Sequence, residues 1–113
     1  GDPPAFASPH AATTSPTGVA PTTTTHYAAW GGSVECVRHC AASGGGAMGD
    51  KDNVGRTMTH YAAWGGSVEC VRHCAVSGGG AMGDKDNDGA TTTAYARASS
   101  SAVCIAFCIA NGA

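Results

Sequence analysis

Residues 25–53 return at residues 59–87, 34 positions later, with a single difference, Ala42 against Val76. A third, diverged copy follows without a gap: Cys36, Cys70 and Cys104 are in phase, as are Cys40, Cys74 and Cys108. A period of about 20 to 50 residues marks a stack of supersecondary units, each contacting chiefly its neighbours. Such a stack offers an extended surface in place of one enclosed cleft. The expectation therefore moves from enzyme to binding scaffold.

At 113 residues the chain has room for one small domain. Six basic side chains stand against eight acidic ones. That balance lacks the basic face that nucleic acid or an anionic membrane surface requires, so neither is expected as a partner. The apolar run Ala102–Ala110 is far too short to span a bilayer. No charged-then-apolar leader opens the chain, which points to the cytoplasm and to reduced thiols. Gly1 at the start, and Ala113 directly after the last apolar run, suggest a piece of a longer array with further repeats.

All five prolines (Pro3, Pro4, Pro9, Pro16 and Pro21) lie in residues 1–21, among Thr, Ser, Ala and Gly. That stretch predicts a disordered tail or linker. Residues 22–113 then hold the repeats, divided at about 21–54, 55–88 and 89–113. In the middle unit Thr57 caps a predicted helix over Met58–Trp64, ended by Gly65-Gly66. Ser67 caps a second helix from Val68 to about Ser77, with Glu69 suiting the dipole of its first turn. Gly78-Gly79-Gly80 stops it, and Asp84-Lys85-Asp86-Asn87-Asp88-Gly89 is turn chemistry leading to the next Thr.

The run Gly55-Arg56-Thr57-Met58-Thr59-His60-Tyr61-Ala62-Ala63-Trp64-Gly65-Gly66 resembles the ankyrin-repeat signature G-x-T-P-L-H-x-A-A-x-x-G. Ser67-Val68-Glu69-Cys70-Val71-Arg72 continues it like that family's second helix, and Asp86-Asn87-Asp88-Gly89 looks like its hairpin turn. The resemblance covers about three units and implies an all-α, ankyrin-like helix-turn-helix repeat solenoid with hairpin or loop connections. It departs at the signature's Pro-Leu pair, here Thr24-Thr25, Met58-Thr59 and Thr92-Thr93, and at the His, which is Ala94 in the third unit. The chain contains no leucine. Each Leu replaced by a small residue costs about 2–5 kcal/mol, against about 5–15 kcal/mol for a whole domain. A marginally stable fold is the expectation.

Two patterns carry possible metal chemistry. Cys36, His39 and Cys40, repeated as Cys70, His73 and Cys74, share a helix face and are zinc-ligand types. The spacing matches none of the usual zinc patterns, and Cys also serves as a small hydrophobe in packed helices. Asp84 to Gly89 matches the first half of a calcium loop, but Tyr95 stands where the bidentate Glu belongs. A hairpin turn explains it without an ion, and no cofactor is expected.

The resemblance implies that partners are met at hairpin tips and on the exposed side of each first helix. On this chain those positions are Tyr27, Trp30, Asn53, Val54, Arg56, Tyr61, Trp64, Asn87, Asp88 and Tyr95. Tyr, Trp and Arg are the types that dominate interface energetics. The expected function is a protein–protein interaction scaffold without catalytic residues. His26 and His60 are read as structural parts of the first helix, near the Thr hydroxyl. The alternatives are a zinc-binding element on the Cys-His-Cys faces, or a non-functional fragment of a longer array.

Overall fold

Helices of seven to nine residues are too short to persist alone in water, so caps and packing decide whether they form. The computed structural model describes residues 22–112; the expected tail over residues 1–21 lies outside the described residues. In chain order the helices are α1 (Thr24–Trp30), α2 (Val34–Ala42), α3 (Met58–Trp64), α4 (Val68–Val76), α5 (Thr92–Ser99) and α6 (Ala102–Ala110). Regular structure among the described residues is all-α, with one isolated antiparallel bridge between Lys85 and Thr91. No helix among them is long and apolar enough to cross a membrane.

Each first helix begins the same way. The Thr57 hydroxyl accepts the His60 backbone N–H at 3.1 Å, and His60 Nδ1 accepts the Thr57 backbone N–H at 3.0 Å. Thr23 and His26 repeat both bonds. This is a capping box with His in the place usually held by Glu or Gln. In α5 only half of it survives: Thr91 caps the Ala94 N–H, and Ala94 has no ring to answer with. The second helices are capped by Ser33, Ser67 and Ser101. Each such cap contributes about 1 kcal/mol.

The helices pair in sequence, α1 with α2, α3 with α4 and α5 with α6. First helices pack side by side, α1 on α3 and α3 on α5, while the second helices meet more lightly. The glycine-rich segments after α2 and α4 fold back onto the start of α1 and α3, respectively. Thr59 N–H and hydroxyl reach the carbonyls of Gly79 and Gly80, at 3.0 and 2.8 Å. Thr25 makes the same two bonds to Gly45 and Gly46. A side chain at Gly80 would come within 2.6 Å of Thr57, so this path needs glycine.

The core is built from small residues: Ala29, Val37, Met58, Ala62, Ala63, Cys70, Val71, Cys74, Ala96, Cys104 and Cys108 are fully buried. Their size lets backbones approach. Gly65 lies so close to the Trp30 carbonyl that a Cβ there would overlap it. The Cys70 thiol donates to the Ala29 carbonyl at 3.6 Å, across the same contact. Gly65→Ala is expected to cost about 1–3 kcal/mol through forced separation of α1 and α3. Gly31→Ala, one repeat earlier, would meet only carbonyls of its own helix at 3.4 and 3.6 Å and should change stability by less than about 0.5 kcal/mol. Urea unfolding of both variants checks this. The Thr92 hydroxyl is buried without a partner among the described residues. Thr92→Val should therefore raise stability by about 1 kcal/mol in the same assay.

Candidate functional site

Tyr, Trp and Arg gather along the first helices and the loops between units. Trp30 and Trp64 stack with ring centroids 4.8 Å apart and planes 16° apart. Tyr27 stacks on Trp30 at 6.2 Å, and Tyr95 tilts onto Trp64 at 5.6 Å. The Arg56 guanidinium sits 5.3 Å from the ring centroids of both Tyr61 and Trp64, within cation–π range. The result is a continuous strip crossing all three helix pairs. Tyr27 and Trp30 are its most open members, at 37% and 42% exposure.

The strip is fixed by a buried carboxylate. Asp52 Oδ1 accepts the backbone N–H groups of Val54 and Arg56, at 3.0 and 2.8 Å. Its Oδ2 accepts Arg56 Nε at 2.6 Å and the Tyr61 hydroxyl at 2.5 Å. One side chain thus ties its own loop to Arg56 and to the first helix of the following pair. Asp86 repeats the arrangement with Asp88 N–H, Ala90 N–H and the Tyr95 hydroxyl. Successive loops are also joined directly, by the Asn87 N–H and the Val54 carbonyl at 2.9 Å.

Charge follows this geometry. Burial would raise Asp52, but the Tyr61 hydroxyl, the Arg56 backbone and guanidinium and the Val54 N–H outweigh it and hold the carboxyl below its ordinary range. Asp86 is held down likewise by Tyr95 and two backbone donors. Burial and the bond to Asp52 push the Tyr61 phenol up. Burial lowers His26 and His60. Because Nδ1 of each accepts a Thr N–H, the ring proton resides on Nε2. From there it is donated to the Asp50 or Asp84 carbonyl, at 3.0 and 2.9 Å. A second proton would place an N–H against an N–H.

Of the residues expected to meet a partner, Asn53, Asn87 and Asp88 are exposed at loop tips, and Val54, Arg56, Trp64 and Tyr95 are half-buried. Tyr61 corrects the expectation. It is 2% exposed, with its hydroxyl on Asp52 and its ring against His26 at 4.9 Å, so it holds the strip from beneath. Asp52 and Asp86 were missed as positioning residues. Their signal in the sequence is a Tyr nine positions later in both copies, in phase with the repeat.

The zinc alternative does not assemble. Among the described residues no three His, Cys, Asp or Glu side chains form a group able to hold a metal ion. Cys36 and His39 are exposed, whereas Cys70 and Cys74 are buried and Cys70 points at the Ala29 carbonyl. The His73 ring lies 3.5 Å from the Ser77 hydroxyl instead. Burial raises Cys104 and pushes Cys108 up to about 12. These are thiols packed as small hydrophobes. In the Asp84 to Gly89 loop, Asp84 accepts the Ala81 N–H and Asp86 is occupied as described above.

No family model matches the chain, and no curated protein is significantly similar to it. Among solved structures, it is similar to a chain in the complex of a predatory endopeptidase from Bdellovibrio bacteriovorus with an immunity protein. That match has a TM-score of 0.67 and 24% identity, covering 82% of this chain and 48% of the other. The chain thus spans about half the length of the one it matches. At this identity the likeness is one of fold.

Stability should be bounded by pH on both sides. His26 and His60 have folded-state pKa values below the free value of 6.5, so their contribution is complete above it and drains as pH falls. Asp52 and Asp86 are depressed too, and their contribution is lost in a second phase, below the free carboxylate value of about 3.9. Tyr61 is raised, so stability falls again as pH climbs past about 10. Denaturation midpoints measured from pH 3 to 11 test the order. His60→Gln should shrink the first loss, and Tyr61→Phe should cost about 1.5–3 kcal/mol near neutrality.

Proposed function

We propose that this chain is an ankyrin-like repeat solenoid that binds a protein partner and catalyses no reaction. The repeat reading is supported by three helix pairs in register with the 34-residue period, and by caps and Asp–Tyr bonds recurring at it. The signature run Gly55–Gly66 adds the family resemblance.

The observation that carries the binding reading is the aromatic strip with Arg56 over it. Tyr and Trp bring large contact area with few rotatable bonds, and Arg adds directional donors. Because Trp30 and Trp64 are already stacked, a partner would pay little ordering entropy at those side chains. Loop tips at Asn53, Asn87 and Asp88 rim the strip with polar groups, as interfaces require. The matched solved structure is itself a protein–protein complex, which is compatible with this reading. Cytoplasmic placement and further repeats in a parent chain belong to the same proposal.

The test needs a purified partner, obtained by affinity capture and identified. Trp30→Ala should then weaken its Kd by about 30-fold or more, the loss typical of an interface hot spot. Unfolding of the variant is measured alongside, because Trp30 is 42% exposed but also stacks on Trp64. A partner bound with unchanged affinity by Trp30→Ala and Tyr27→Ala chains would reject the strip as the binding surface.

A further inference from the structure

Arg56 brings to the strip a charge that is only half answered. Asp52 takes its Nε–H at 2.6 Å, and among the described residues no acceptor meets the N–H groups of its two terminal nitrogens. The Asp52 side chain is fully buried, whereas that of Arg56 is 23% exposed. The pair therefore shows its cationic end to the outside and keeps its anionic end within. Tyr61 and Trp64 hold the guanidinium against their rings, which fixes it without using any of its donors. Arg56 belongs to the loop between the first two helix pairs, so its setting does not depend on either end of the stack.

No neighbouring carboxylate completes it. Among the described residues the pair with Asp52 is the only ion pair that Arg56 makes. Asp50 accepts the Ala47 N–H and Asp84 the Ala81 N–H, each at 3.0 Å. Asp86 is taken by the Tyr95 hydroxyl and by the N–H groups of Asp88 and Ala90. Lys51 and Lys85, exposed on the same loops, make no ion pair among the described residues and add positive charge. In the free chain, water serves the terminal N–H groups of Arg56. A partner lying across the strip displaces that water, and a covered cation left without an acceptor is strongly unfavourable.

We infer that the protein partner of the strip presents a carboxylate side chain to Arg56, beside a bulky apolar side chain that lies against Trp30. The inference rests on the strip being the binding surface and adds the chemistry that selects among partners. The repeat limits what the acceptor can be. Positions in phase with Arg56 hold Thr22 and Ala90, so the strip carries one guanidinium and no cluster of them. Phosphate recognition draws on clusters of Arg. A single guanidinium whose two terminal nitrogens are free matches one carboxylate, held by two parallel N–H bonds. The apolar neighbour follows from the distance between Arg56 and the ring of Trp64, 5.3 Å, and from the stacking of Trp64 on Trp30.

The probe is a displayed library of random peptides selected on the immobilised full chain, from which those that lose binding to a Trp30→Ala chain are synthesised. These peptides should carry Asp or Glu next to an aromatic or large aliphatic residue. Changing that acid to Asn or Gln should weaken the Kd by about 30-fold or more, the loss that follows removal of one partner from a covered charge pair. Arg56→Gln in the protein should do the same, and the two changes together should cost little more than either alone. Arg56→Lys should restore only part of the affinity, because an ammonium lacks the planar fork. Trp30-dependent peptides that lack an acid, or whose Kd ignores both changes, would overturn this inference and leave the strip standing. A library that yields no Trp30-dependent peptide would overturn both. The change made in the peptide leaves the protein untouched, so the outcome does not hang on how the Arg56 variants fold.

Discussion

Close approach of helix backbones is the constraint on which this structure rests. A chain without leucine cannot fill wide gaps between helices, so the helices must come together until none is left. Gly65 against the Trp30 carbonyl sets the distance between α1 and α3. Ala29, Ala62, Ala63 and the cysteines then fill what remains. At such separations many weak dispersion contacts form at once, and a thiol can donate to a neighbouring carbonyl. Small residues are thus a working solution in this core, provided the turns let the helices come near. Glycine at 79 and 80 does so by letting the chain run directly over Thr57 and Met58.

Polar groups supply the order that bulky side chains would otherwise impose. A buried carboxylate is costly unless every lone pair is engaged, and Asp52 accepts four hydrogen bonds. Those bonds fix the loop, Arg56 and the next first helix in one step. The neutral histidines do the same for the start of α1 and α3, using one nitrogen for the cap and the other for the connecting segment. The aromatic strip inherits its geometry from these bonds. Trp64 is placed by α3, and α3 is placed partly by Tyr61 on Asp52.

Much of this was readable in the sequence where the causes are local. Thr57 and Ser67 as caps, and the span Met58–Trp64, follow from residues within four positions of one another. The burial of Tyr61 was not readable, because its partners belong to the preceding loop and to α1. Reading the first-helix Tyr as one exposed position treated Tyr27 and Tyr61 as equivalent; the structure separates them by what lies alongside. Asp84 to Gly89 looked like half of an ion loop because turn chemistry and ion binding use the same short acidic residues. Here the Asp86 carboxylate is turned toward backbone N–H groups and Tyr95.

The bond between the Asn87 N–H and the Val54 carbonyl joins successive loops through main-chain atoms alone. The spacing of the tips is consequently indifferent to which side chains they carry. Asn53 and Asp88, outside the glycines and the anchoring aspartates, are open to wholesale replacement. A randomised library confined to those two positions and to the surface of Trp30 would keep its frame. Selection could then rewrite what the scaffold recognises without having to solve its folding again.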